Sequence, residues 1–501
     1  MFVTPAAAFM SQGSPLPRRR RPRATMLAVI ILLAGAVLRL ATLIVPHAFF
    51  PDEIFQYLEA AHRLAFGPGV VTWEYREHIR SWLVPLALAA PMWLGGAIAP
   101  NGGFYLLLPK LVLLAISLMT ISAAGVIGRR LSALHALFAM LVVATWAEFV
   151  YFSTVALTEP LATCIFLAAA ALLYRRERST RCALVGAGAL LALTCLVRFQ
   201  YGPAVAAFAL AVSIRRPHQM LWLVAGCLPL LGLSAFVDLL MGDAPFGWLF
   251  ANVHQNIALG RSVRYGVEGP LFYPAALFTV WRFWLGPILL LAILGARRFP
   301  ALLLAALTNF VIHDVIAHKE YRFLLLTTML LVVLAGIGTA EAIRLVRRRS
   351  GRERWTNLSW IAAAGWVVAS ASVAVSGAVR QWWTQQAPQL AAFEAVRDTP
   401  SLCGVALFDV NWAGTGGYAY LHRAIPLMEY ASSQRDAMLH DEPQFDAVVA
   451  LANLAPPPGF TAKRCFTGNG GTTICVNTRP GKCATATSPA IVNRQLILHG
   501  M

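Results

Sequence analysis

The sequence predicts an all-α, polytopic membrane protein of about 11 transmembrane helices that ends in a small α+β tail. Three observations carry this reading. Of 501 residues 58% are hydrophobic and only 13% charged, and the mean hydropathy is +0.63, a balance that a water-exposed fold does not hold. Apolar windows of about 20 residues, the length that crosses a bilayer, recur through most of the chain. Beyond residue 380 the windows stop, and short strand-like runs, VALFDV and FDAVVAL, alternate with the turn-rich stretches NWAGTGG and LAPPPG.

In chain order, residues 1–25 form a basic segment containing PLPRRRRPR. The apolar run behind it is too long for a signal-peptide core and lacks a cleavage site, so it reads as an uncleaved start-transfer anchor. The expected spans are 26–46, 104–127, 131–151, 156–174, 182–198, 201–214, 220–240, 275–295, 299–314, 321–343 and 356–378. The run 82–99 is apolar but broken by Pro85, Pro91, Gly95 and Gly96, and it reads as an interfacial helix. With that assignment six basic clusters share one side: Arg18 to Arg23, Arg129 and Arg130, Arg175 to Arg181, Arg215 and Arg216, Arg297 and Arg298, and Arg344 to Arg354. Positive charge marks the cytoplasmic side. The expected division is therefore a cytoplasmic segment 1–25, a transmembrane catalytic domain 26–379 with its first outer loop at 47–103, and an extracytoplasmic domain 380–501, all in the inner (cell) membrane. The net charge of +18 falls in short bursts between apolar runs, which is the pattern of membrane loops and argues against nucleic acid as a partner.

The eight cysteines divide evenly. Cys164, Cys182, Cys195 and Cys227 lie in apolar runs and behave as small hydrophobes. Cys403, Cys465, Cys475 and Cys483 fall in the tail, where an even set in an oxidising compartment points to disulfides. Cys465 with Cys475, or Cys475 with Cys483, is close enough in sequence for a tight bridge, and spacing leaves the pairing open. Zinc is the weaker alternative, since no CxxC pair occurs.

The chemistry concentrates in the first outer loop, FFPDEIFQYLEAAHRLAFGPGVVTWEYREHIRSWLVP, residues 49–85. Ionisable groups at a membrane face are costly and usually functional. Pro51 suits the first helical turn and sets Asp52 and Glu53 beside the positive helix end. On an α-helix Asp52, Gln56, Glu59 and Arg63 form one polar stripe facing a cleft. Transferring a sugar to an alcohol needs a base for the acceptor proton, and cations to absorb the charge growing on a leaving phosphate. Asp52 suits the first task. For the second, HDVIAHKEYRF at 313–323 places His318 and Lys319 four and three residues before Arg322, a spacing that converges on one anion at a helix start. Arg198, near an outer helix end, serves as an ion-pair partner or a phosphate ligand. Thr158 and Glu159 before Pro160 cap a helix or line the site, and Glu74 in TWEY steadies the loop or meets ligand. A lipid-linked saccharide flippase is the alternative; charges confined to one membrane face, with no inverted repeat, speak against it.

The loop resembles the first luminal loop of the glycosyltransferase family 22 α-mannosyltransferases, the polyprenyl-phosphate-mannose-dependent enzymes of N-glycan precursor and GPI-anchor assembly. The likeness runs through Pro51-Asp52-Glu53, Gln56, Glu59, Gly67, the T-W-E-Y block and Arg80-Ser81. HKEYRF is similar to the second hallmark of that family, HKE followed closely by RF. The resemblance implies a GT-C fold and an inverting hexosyltransferase that moves mannose from a polyprenyl-phosphate-sugar donor to a glycan or glycolipid acceptor on the extracytoplasmic face. Asp52 takes the position of the catalytic base, with Glu53 beside it. His318, Lys319 and Arg322 hold the donor phosphate together with Arg198, while Gln56, Glu59, Glu74, Arg80, Glu159 and Glu320 complete the substrate-binding set. No cofactor is required, since the donor carries its own phosphate, and a divalent cation stays open because Asp52 and Glu53 are hard oxygen ligands. The sequence departs from the family pattern at Phe50, where a His precedes P-D-E, before Glu159, where the Arg-Thr pairing is missing, and in the cysteine-containing tail. Its Ala- and Arg-rich composition suits a high-GC bacterium, whose donor is a polyprenyl rather than a dolichyl phosphate.

Overall fold

The computed structural model describes residues 21–498 apart from 45–46, 101, 176–179, 351–356, 469–470, 482, 485–487 and 490. The basic stretch 1–20, residues 176–179 of the cluster at 175–181 and the end, 351–354, of the cluster at 344–354 lie outside the described residues. Each of the eleven apolar windows contains a helix. Among the described residues five helices are long and apolar enough to cross a membrane: Arg23–Ala41, Phe104–Arg129, His218–Leu240, Phe272–Ala296 and Tyr321–Arg348. Leu358–Ala374 with Gly377–Arg397, bent by 59°, makes a sixth if the pair is one span. The remaining windows are shorter apolar helices of 10–17 residues, and so is Leu83–Ile98, which packs along Phe104–Arg129.

Burial sorts these helices. The apolar stretch of Tyr321–Arg348 is almost wholly buried and forms the axis of the bundle, whereas that of His218–Leu240 presents most of its residues outward. Two crossings depend on absent side chains. A Cβ on Gly295 or Gly338 would lie 2.0 or 1.9 Å from a carbonyl oxygen of the facing helix, so Leu285–Ala296 and the central helix meet backbone to backbone. Gly188 and Gly226 do the same for Arg181–Val197 and His218–Leu240, the small-residue packing typical of helices in lipid. The window 131–151 is interrupted at Trp146, whose extended backbone separates Ala133–Thr145 from Ala147–Tyr151. The buried guanidinium of Arg39 meets the carbonyls freed there, donating to Val143 O and Ala144 O at 2.9 Å each.

The tail holds one five-stranded sheet built from β1 (Val405–Phe408), β2 (Leu427–Tyr430), β3 (Ala447–Leu451), β4 (Thr461–Thr467) and β5 (Thr473–Thr478). Its order is β2-β1-β3-β5-β4, the first three strands parallel and the last two antiparallel. The runs read as strands in VALFDV and FDAVVAL are β1 and β3. All four tail cysteines are paired, Cys403 with Cys483 and Cys465 with Cys475; the second pair sits opposite across the β4–β5 ladder. Cys164, Cys182, Cys195 and Cys227 are free thiols.

The tail is seated on the first loop. Glu59 is fully buried and accepts from the amides of Val70 (2.6 Å), Tyr418 (3.0 Å) and Ala419 (2.7 Å). Gly417, at φ +54°, brings the tail backbone so close that a Cβ there would sit 2.7 Å from a Glu59 carboxylate oxygen. His62 hydrogen-bonds His422 at 2.9 Å, Tyr105 donates to Ala419 O at 2.7 Å, and Asn493 bonds the backbone of both Gly69 and Val71. Tail and first loop therefore share one packed interior.

Candidate active site

Three chain segments meet at the site: the helix that begins at Pro51, the start of Thr158–Leu173, and the 3-10 turn Tyr321–Leu324 that opens the central helix. Pro51 does start the helix, but Glu53–Leu58 is a π-helix. Bonding from i to i+5 changes which side chains stack, so residues four apart no longer share a face. Of the expected stripe of Asp52, Gln56, Glu59 and Arg63, the first three residues are accordingly sent three ways. Asp52 reaches Arg322. Gln56 donates to Glu74 at 2.9 Å, inside the first loop. Glu59 binds the tail backbone instead of facing a cleft.

Arg322 is buried and gathers three carboxylates. It donates to Asp52, donates twice to Glu320 at 2.8 Å, and lies 3.6 Å from Glu159. Its guanidinium also stands 4.9 Å from the ring of Phe50, the residue that replaces the family histidine. Glu159 is shared with Arg198 at 3.1 Å, and Thr158 accepts weakly from Arg198 while bonding the Tyr57 hydroxyl at 3.1 Å. Asp52 and Glu320 are partly open, their side chains 29% and 27% exposed, while Glu159 is buried.

Next to this cluster lies a small cleft whose polar lining includes Tyr57, Arg80, Ser81, Thr158, Arg198 and Asn252. The Nε atoms of Arg80 and Arg198 are buried without a hydrogen-bond partner among the described residues. Buried donors with spare capacity in a cleft suit an anionic ligand.

The other expected phosphate ligands are arranged differently. Residues 315–320 are not helical, so the spacing that would converge His318, Lys319 and Arg322 on one anion does not apply. Lys319 turns back on its own loop, donating to Asp314 O at 2.5 Å and Ile316 O at 2.8 Å, where an ammonium satisfies the end of helix Pro300–Asp314. His318 bridges Gly266 O at 3.3 Å and Glu320 at 3.2 Å. The hydrogen bond to Glu320 raises the His318 pKa against its burial, and Glu320, despite burial, is held well below the usual carboxylate range by Arg322 and His318. Glu53 diverges from Asp52. It is buried, accepts from Ala156 N at 3.3 Å and leaves its other oxygen without a hydrogen-bond partner among the described residues. Burial pushes its carboxyl up to about 7, against the opposing effects of Lys110 and the Ala156 amide.

Two functional-looking groups escape sequence reasoning. Glu148 accepts from Trp146 at 2.7 Å, from Trp281 at 3.1 Å and from the Tyr321 hydroxyl, and so fixes the residue beside Arg322. Lys110 is hydrogen-bonded to Tyr420 of the tail at 3.3 Å. The available indication for both was an ionisable residue inside an apolar window.

The sequence profile of the Alg9-like mannosyltransferase family matches residues 30–422. GPI mannosyltransferase 3 of Yarrowia lipolytica is 28% identical over 461 residues, covering 87% of this chain and 79% of that protein. GPI mannosyltransferase 3 of Drosophila melanogaster is 42% identical over a shorter stretch of 65 residues, 13% of this chain and 12% of the relative. Among solved structures, ArnT from Cupriavidus metallidurans bound to undecaprenyl phosphate superposes with a TM-score of 0.58 at 12% identity, over 90% of this chain and 98% of that one. The oligosaccharyltransferase of Archaeoglobus fulgidus gives 0.51 at 14% identity, over 85% and 68%. The structural likenesses establish the GT-C fold. The chain belongs to the Alg9-like mannosyltransferase family and is a membrane mannosyltransferase.

Proposed function

From that membership we propose that the protein transfers mannose from a polyprenyl-phosphate-mannose donor to a hydroxyl of a glycan or glycolipid, with inversion, on the extracytoplasmic side of the inner membrane. The observation that carries the reading is the pairing of a partly exposed carboxylate, Asp52, with a neighbouring cleft lined by Arg80 and Arg198. Asp52 takes the acceptor proton as the acceptor oxygen bonds to the anomeric carbon. The bond from that carbon to the phosphate oxygen breaks, and its electron pair leaves with the polyprenyl phosphate. Arg80 and Arg198 meet the charge growing on that phosphate, in a site where fixed cations need no reorganisation. Arg322 orients Asp52, while Glu320 and Glu159 offset the remaining positive charge. The undecaprenyl phosphate bound by the ArnT neighbour is a ligand of the same chemistry as the leaving group proposed here. Asp52 points to Arg322 and Glu53 to Ala156, so this pair does not fit a shared divalent ion, and the reaction is read as running without one. The test is direct: purified protein with labelled polyprenyl-phosphate-mannose and a membrane lipid extract releases polyprenyl phosphate, and Asp52→Asn abolishes the release. Retention of label on the donor with wild-type protein would reject the reading.

A further inference from the structure

The connection between helices His218–Leu240 and Phe272–Trp281 is built inside out for a segment in water. Helix Gly247–Val253 continues into the π turn His254–Ala258 and the 3-10 turn Arg261–Tyr265. Its inward residues are Trp248 and Asn252, four apart; both are buried, both line the arginine cleft, and Asn252 donates to Ile79 O at 3.2 Å. The outward surface is apolar: Phe250, Val253 and Ile257 are all exposed, Phe250 by 72% and Ile257 by 66%. Leu259, Val263, Tyr265 and Val267 extend the exposed apolar surface beyond the helix. A contiguous patch of this kind is not left facing water.

Two observations identify what covers it. The helix before it exposes Phe236, Leu239 and Leu240 in its last turns, and the helix after it is entered through an exposed Leu271 and carries an exposed Phe278. The patch is thus continuous with surfaces that face lipid. Between Gly247 and Val267 the charged residues are Arg261 and Arg264, with no acid, which suits the anionic headgroup layer. We propose that residues 247–267 lie in the headgroup–acyl boundary of the bilayer, apolar side toward the lipid, and form the lipid-side wall of the Arg80–Arg198 cleft. The second half of this statement rests on the donor reading above. A lipid-anchored phosphate then reaches the cleft from within the membrane, past a wall already seated at headgroup depth.

The test uses the full-length protein in nanodiscs containing anionic phospholipid. An environment-sensitive fluorescent amino acid placed at Ile257 or Leu259 should be quenched by brominated acyl chains and shielded from aqueous iodide, whereas the same label at exposed Ser433 of the tail should show the reverse. Iodide quenching at 257 and 259 would overturn the proposal, and so would protection from both quenchers, which would mean that a protein surface covers the patch. The double variant Ile257→Asp, Leu259→Asp should raise KM several-fold for a long-chain polyprenyl-phosphate-mannose, with little change in kcat at saturation and none in KM for a short-chain, water-soluble donor. An equal KM rise for both donors would show general damage to the cleft and overturn the claim about its wall. Failure of the donor reading is separable, since the quenching pattern is independent of turnover.

Discussion

The two ends of the central helix carry mirror-image charge clusters. At one end a single cation, Arg322, gathers Asp52, Glu320 and Glu159. At the other a single acid, Glu341, gathers His135, Arg298 and Arg344 at 3.0, 3.0 and 3.3 Å. The clusters differ in what they leave undone. Both oxygens of Glu341 accept hydrogen bonds, and His135 spends its second ring nitrogen on Ser132 at 2.7 Å, at the start of its own helix. Around Arg322, the Nε atoms of Arg80 and Arg198 go without hydrogen bonds among the described residues, Asp52 is partly open, and a cleft adjoins. Hydrogen-bonding capacity left unmet in a buried place is costly. Among the described residues it is present at one end only, which marks that end as the candidate site and the other as a helix clamp.

The largest effect should come from breaking the open cluster at its base. Asp52→Asn is expected to lower kcat by roughly 100-fold or more while donor binding persists, as for loss of a general base; near-normal turnover would reduce Asp52 to a structural partner of Arg322. Next come the cations. Arg80→Gln or Arg198→Gln should lower kcat/KM for the donor by about 10-fold to 1,000-fold, because fixed charge at a leaving phosphate acts mainly in the transition state. Lys319→Met should cost thermal stability and leave donor KM close to wild type, since its ammonium is turned onto loop carbonyls. A donor defect in the Lys319 variant equal to that of the arginines would restore it to the phosphate site.

The closed cluster sharpens the contrast from the other side. Glu341→Gln should leave kcat and KM unchanged and destabilise the protein by only about 1 kcal/mol, because Arg298 is exposed and Arg344 partly so, and solvent already screens them. A thermal shift with full activity is the expected result. The smallest effect concerns acid pH. His62 and His422 face each other where the tail meets the first loop, with Tyr105, Arg397 and Glu59 nearby. Burial pulls both imidazoles down to about 4, the Pro68 carbonyl partly opposing this for His62 and Arg397 adding to it for His422. A histidine kept neutral by the fold contributes stability that is complete above its unfolded pKa near 6.5 and is lost as pH falls toward about 4. Amide exchange in residues 412–422 should therefore quicken over that window before the membrane helices respond. Uniform exchange across both regions would mean that the histidines do not control how the tail is held.

Sequence alone determined the solvent of this protein and the segment that holds its candidate site. Apolar length fixes the membrane helices, because an unbonded backbone cannot remain in lipid. Carboxylates directly after an apolar run marked Asp52, and four cysteines in a polar tail foretold two bridges. Both conclusions depend on neighbours in the chain, which composition and spacing record. The tertiary structure decided which cations face the cleft and which acids serve as scaffolding. Arg322 and Asp52 are 270 residues apart, and Glu59 lies 360 residues from the Ala419 amide that it binds. The π turn of Glu53–Leu58 also undid the expected stripe, and the loop at 315–320 turned Lys319 away. Partners so distant are chosen by packing around the buried central helix, and hydropathy carries no record of where a buried side chain finds its counter-charge.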